Sequence, residues 1–245
     1  LAERAQLLQD PDYRARFRRQ WTNFLLPKVY HRDFQYSEVL GCPDGSMVGK
    51  SFAQIGQERG CHVVDAFLDL AAEHGEHLRW YSVMGNDRQK PLEFISAHPD
   101  VLIGFSDAGA HLRNMAHYNF PLRLLKLARD AEQRGEPFMS MGQAVHRVTA
   151  EIAEWFRIDA GVLAVGRRAD LVVIDPTKLD ERLEQAHEEE MEGFGGLRRL
   201  VRRNDETVEA VLVNGRLAIL DGKPTPELGR ERGFGRVLRA GAWQG

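Results

Sequence analysis

The sequence predicts an α/β chain that passes into a β-rich C-terminal part. Three observations point there. Amphipathic helical stretches alternate with short strand-like runs up to Phe156. One strand, helix, strand succession between Leu78 and Phe105 has the size of a βαβ unit, which implies a parallel sheet because parallel neighbours need a crossover connection. After Phe156 the helical period gives way to β-branched runs and a hairpin turn.

The elements follow in order. "LAERAQLLQ" and "YRARFRRQW" are charged helical stretches separated by Asp10-Pro11, where a proline favours a helix restart. "DFQYSEVLGCPDG" reads as a strand or extended loop ending in turn residues. "KSFAQIGQERG" and "VVDAFLDLAAEHG" are helices closed by Gly60 and Gly75, the second presenting Val64, Phe67, Leu68 and Ala71 on one face. "LRWYSVMGND" is strand-forming, "RQKPLEFISAHPD" helical, and "VLIGF" at residues 101–105 an apolar strand expected to run parallel to the one near 79–84. Two further helices are predicted in "FPLRLLKLARDAEQRG" and "SMGQAVHRVTAEIAEWF". Beyond them, "GVLAVGRRADLVVIDP" is a turn and a strand. "VEAVLVNGRLAILDGKP" holds two strands around Asn214-Gly215, residues that tolerate positive φ, and forms a separate β layer. The acidic stretch "LDERLEQAHEEEMEGFGG" between them reads as a surface excursion, and the boundary between the two parts falls near residue 158. Trp21, Trp80 and Trp155 read as core aromatics.

A formal charge of −3 leaves no global basic field for nucleic acid or anionic lipid, and Arg202-Arg203 reads as solvated surface. No apolar run reaches the roughly 18 residues of a membrane span. Cys42 and Cys61 build neither a disulfide framework nor a zinc site, so a cytoplasmic location is expected and both cysteines read as packing residues. The first residues look like a helix already under way. With no initiator methionine, the chain is expected to begin partway through a longer protein.

Candidate chemistry centres on residues 101–111, "VLIGFSDAGAH", an apolar run that stops at a small-residue cluster holding one carboxylate, Asp107. In parallel α/β folds, ligands bind at the face where the chain leaves each strand. Pattern alone leaves Asp107 evenly between such a functional acid and a turn cap.

"HRVTAEIAEWFRIDAGVLAVGRRADLVVIDP", with G-x-L-x-x-G-x-x-A-D-L-V-V-x-D running from Gly161 to Asp175, resembles the closing segment of the amidohydrolase superfamily. "VEAVLVNGRLAILDGKPT" is similar to its terminal hairpin and "GFGRVLRAG" to its tail. "GKSFAQIGQERGCHVVDAFLDL" and "HPDVLIGFSDAGAHLR" resemble the N-acyl-D-amino-acid deacylase (D-aminoacylase) branch. The resemblance covers the chain from about Gly49 onward; residues 1–48 resemble a variable region.

The resemblance implies the C-terminal part of a (β/α)8 TIM-type barrel over residues 1–158, followed by strands of a small β-sandwich over 159–245. It implies a divalent metal, zinc above others, and a small-molecule N-acyl amino acid or related amide as substrate, with no nucleic acid or membrane partner. Asp107 would take a proton from a metal-bound water and pass it to the leaving amine, and could itself be a metal ligand. "HLR" resembles the branch's His-Pro-Arg, which makes His111 and Arg113 substrate-binding candidates. A guanidinium at Arg113 could pair with a substrate carboxylate, and a solvated loop arginine is the equal alternative. His117, Tyr118 and Asn119 would line the same loop. Asp170 and Asp175 would serve turn and strand-end hydrogen bonding.

One departure from the family's pattern stands out: the nine histidines include no His-x-His pair. The remaining metal ligands would lie before residue 1, so this chain by itself is expected to be inactive. His74 and His77 flank Gly75, where a solvated helix-end role outweighs a metal. Two rival readings remain: another amidohydrolase chemistry, cyclic-amide or dipeptide hydrolysis, and a non-catalytic structural or binding subunit.

Overall fold

Helix restarts, caps and left-handed glycines fall where the local sequence places them, and they define the N-terminal elements. The computed structural model describes residues 2–23, 25, 34–83, 85–104, 106, 111, 113, 117–191, 194–202 and 204–241. Two compact units divide the chain, 1–89 and 90–245.

In the first unit, helix α1 (Ala2–Gln9) is followed by α2 (Pro11–Thr22), with Pro11 in its first turn. Asp10 caps α2, its carboxylate accepting from the Tyr13 amide at 2.7 Å. Strand β1 (Ser37–Gly41) alternates buried and open positions, as a half-buried strand must. Helix α3 (Phe52–Arg59) opens on a reciprocal cap in which Gln54 N donates to Ser51 Oγ and Ser51 N to Gln54 Oε1. It closes on Gly60 at φ 62°. Helix α4 (Val63–His74) buries Val64, Leu68 and Ala71 on the predicted face. Strand β2 (Arg79–Ser82) pairs antiparallel with β1, Val39 opposite Trp80.

The core of this unit holds Val39, Phe52, Ile55, Val64 and Leu68, each worth about 1.5–3 kcal/mol on full burial. Aromatic rings extend it: Trp21 stacks on Phe34 at 4.0 Å, and Phe67 meets Phe34, Phe52 and Trp80. Trp21 is thus a core-packing ring as predicted. Trp80 touches the cluster by one edge and stays 43% exposed. Arg14 and Arg18 of α2 pair with Asp69 and Asp65 of α4, fastening one helix to the other. Cys42 and Cys61 pack against the core as free thiols.

The second unit begins with α5 (Gln89–Ala97), whose first residue lies at the division, and continues with α6 (Phe120–Gln133), α7 (Met141–Val148) and α8 (Ala150–Phe156). The stretch predicted as one helix over 140–156 is therefore two. Thr149 breaks it at φ −129° and ψ −89°, its hydroxyl bonded back to the Val145 carbonyl at 2.7 Å. Trp155 is 67% exposed rather than core, because the short α8 buries Ala153 instead.

Strands β3 (Leu171–Ile174), β6 (Val208–Val213), β7 (Arg216–Leu220) and β8 (Lys223–Pro224) form one antiparallel sheet in that order. Asn214 and Gly215, at φ 53° and 79°, make the predicted hairpin turn. Strands β4 (His187–Glu190) and β5 (Arg198–Val201) pair as a separate antiparallel ribbon. Leu122, Leu125, Ala144, Leu179 and Leu183 form the core. The change of texture near residue 158 lies within this unit.

The mixed α/β class holds, but its predicted parallel pairing does not appear among the described residues. Residues 101–104 form no strand, and β2 finds its partner in β1. The physical reason lies in where the segment's bonding groups go: the Val101 carbonyl is taken by the Arg147 side chain and Ile103 packs on the core cluster. An apolar run reports a need for partial burial, which a segment outside any sheet can also meet.

Candidate functional site

The segment leading to the candidate acid is built from α5 outward. The helix ends at Ala97, a turn follows in which Val101 N donates to His98 O at 3.1 Å, and the chain then passes Ile103 without regular secondary structure. Gly104 lies so close to α8 that a Cβ there would sit 3.4 Å from Ile152 Cδ1. Asp107 itself lies outside the described residues.

His111 and Arg113 are both exposed. The carbonyl of Arg113 accepts from Leu200 N of β5 at 2.9 Å, so this part of the loop is tied to the β4–β5 ribbon. The exposure of Arg113 is compatible with either reading.

The end of the same loop is held more deeply. Asn119 is 8% exposed, and its Nδ2 donates to Leu183 O at 2.8 Å and to Asn204 Oδ1 at 2.7 Å. His117 is half-buried. Burial first, then the charges of Arg202 and Arg123, push its pKa down to about 4, so it is neutral near pH 7. Tyr118 stays 53% exposed.

Two sequence readings need correction at this point. Arg202 is half-buried beside His117 rather than fully solvated. The stretch around 179–184 is not a surface excursion: Leu179 and Leu183 are buried at 2% and 0%, and the Leu183 carbonyl anchors Asn119. Leu179 caps one 3-10 turn and Leu183 lies in the next, on either side of Asp180, so no helical spacing signalled their burial.

Asp170 and Asp175 do what the closing motif suggests. Asp170 accepts from Asn214 N at 2.6 Å at the turn between β6 and β7. Partial burial raises its pKa, but bonds from Arg168 and the Asn214 amide outweigh this and hold it low. Asp175 caps the turn after β3, accepting from Thr177 N at 2.9 Å. The Thr177 hydroxyl and amide together lower its pKa.

A divalent metal was expected from the resemblance. Among the described residues no group of three or more His, Cys, Asp or Glu side chains could hold one. His74 sits 3.7 Å from Glu73 at the end of α4 and His77 is exposed. The described side chains do not make a metal site. No helix among the described residues is long and apolar enough to cross a membrane.

Comparison with known proteins adds to this geometry. The model of the amidohydrolase family matches residues 45–218, a span that includes Asp107, His111 and Arg113. Uncharacterized proteins of Mycobacterium tuberculosis (strain H37Rv) and Mycobacterium bovis are each 50% identical over 245 residues. The match takes in 98% of this chain and 40% of each relative, so the chain spans about two fifths of their length. Among solved structures, N-acyl-D-glutamate deacylase of Bordetella bronchiseptica, complexed with zinc and a phosphonate inhibitor, aligns at TM-score 0.43 and 22% identity over 84% of this chain and 38% of that one. A D-aminoacylase with a binuclear metal centre aligns at TM-score 0.44 and 21% identity over 83% and 37%.

Proposed function

Since the chain belongs to the amidohydrolase family, we propose that the complete protein is a metal-dependent hydrolase of a linear, non-peptide amide, most nearly the deacylation of an N-acyl-D-amino acid in the cytoplasm. The observation that carries this is the family match across "VLIGFSDAGAH", with Asp107 at the end of its apolar run. Within that reading, residues 1–158 are barrel and 159–245 sandwich, and zinc is held by ligands that this chain does not supply alone.

The chemistry asked of this chain is proton transfer. Water attacks the amide carbon, the C–N bond breaks, and the leaving nitrogen needs a proton. A carboxylate at Asp107 accepts the proton that the attacking water loses and delivers it to that nitrogen. The Arg113 guanidinium, with His111 close by in sequence, would receive the substrate carboxylate, and the Leu200–Arg113 backbone bond supports this by holding the loop to β5.

Asp107→Asn in the complete protein tests the proposal. Asn keeps the size and hydrogen bonding but accepts no proton. Turnover should fall by about 10²–10⁴-fold with zinc content unchanged. Near-normal turnover at normal zinc content would reduce Asp107 to a cap, since Asn caps about as well as Asp.

A further inference from the structure

Arg147, on α7, is 9% exposed, and its guanidinium is spent on backbone. Nε donates to Ser96 O at 3.0 Å, and Nη2 donates to both His98 O at 3.1 Å and Val101 O at 2.5 Å. Nη1 bonds Glu151, one turn along, at 2.6 Å. The three carbonyls span the turn by which the chain leaves α5 and enters residues 101–104. A planar fork with fixed donors can hold three carbonyls in one arrangement, whereas an ammonium cannot reproduce it. Past the turn, Ile103 packs against the core cluster, so the chain is held on both sides of Val101.

We propose that Arg147 is a positioning residue for the proposed hydrolysis: it fixes the backbone of residues 96–101, and Asp107 follows Val101 by six residues in the sequence. This rests on the assignment of Asp107 as proton carrier. The far side of the loop is tied separately, through Leu200 N to Arg113 O. Loss of the Arg147 fork therefore loosens residues 96–101 and leaves the tether at Arg113 in place. The consequence is a division between kinetic constants: kcat depends on Arg147 and KM does not.

The test uses Arg147→Lys and Arg147→Met in the complete protein, with amide hydrogen exchange and steady-state kinetics as readouts. Arg147→Lys retains the aliphatic stem and the charge facing Glu151, so it carries the test should Arg147→Met fail to fold. Exchange at residues 98–104 should quicken by at least about tenfold while amides of α6 keep their protection, as a local opening requires. For a displacement of about 1 Å at the reacting groups, kcat should fall by about 10²-fold, with KM within about threefold. Glu151→Gln, which leaves the three carbonyl bonds intact, should leave both readouts near wild type. Unchanged exchange at 98–104, an equal rise throughout 90–245, or a rise in KM at constant kcat would overturn the proposal. If the wild-type complete protein hydrolyses no N-acyl amino acid, the deacylase reading fails by itself, and exchange decides whether Arg147 holds the segment.

Discussion

Leu183→Ala separates two views of residues 179–184 by several kcal/mol. If the acidic stretch were a solvated excursion, the change would stay within about 0.5 kcal/mol. In the structure Leu183 is fully buried among Leu122, Leu125, Ala144 and Leu179. Truncating a buried leucine removes its transfer energy and leaves a cavity, which costs about 2–5 kcal/mol. Complete burial, with Asn119 held on the same residue's carbonyl, puts the expected loss at about 3–4 kcal/mol. At a urea slope of about 2 kcal/mol per molar, the unfolding midpoint of the second unit should fall by about 1.5–2 M. Hydrogen exchange of α6 amides reads that unit apart from the first. A midpoint shift under about 0.3 M, the excursion value at the same slope, would remove Leu183 from the core.

Two further outcomes follow from the same geometry. His117 has a folded-state pKa of about 4 against 6.5 in the free side chain, so the unfolded chain binds the extra proton first. Stability should be full above about pH 6.5 and decline as pH falls toward 4; His117→Gln should flatten that slope, and an imidazole titrating near 6.5 by NMR would contradict the burial assigned to it. Gly161 has φ +79°, and a Cβ there would lie 2.7 Å from the Thr149 carbonyl. Gly161→Ala should therefore cost at least about 2 kcal/mol in urea unfolding, combining left-handed strain with a backbone clash; a neutral result would displace the 161 turn from α8.

Much of the helical framework was legible because its signals are local. Ser51 with Gln54, Gly60, and Asp10 with Pro11 each sit within one turn of the structure they terminate, and the Asn214-Gly215 turn announces its own hairpin. What escaped depends on distant partners. The break at Thr149 coincides with the approach of Gly161, which no helical period records. Residues 101–104 looked like a strand because apolar content reports burial, while Val101's bonding partner is 46 residues away on α7. In the site, Asp107 lies outside the described residues, and His111 and Arg113 are exposed. Asn119, in contrast, is fixed by Leu183 and Asn204, 64 and 85 residues on, a link that motif spacing cannot carry.

The antiparallel sheet of the second unit also sets an order of assembly. Strands β6 and β7 need only a two-residue turn to meet, whereas β3 must close a loop of about 40 residues before Leu171 reaches Leu212. The hairpin is therefore expected to form first and β3 to join it later, fastened by the bond from Asn214 N to Asp170. Within that loop, β4 and β5 zip onto each other rather than onto the sheet. Doubling the loop would add only about 0.6 kcal/mol to its closure. Residues inserted between β4 and β5 would therefore be expected to slow the docking of β3 slightly and leave the finished sheet intact, so the chain can lengthen there without losing that sheet.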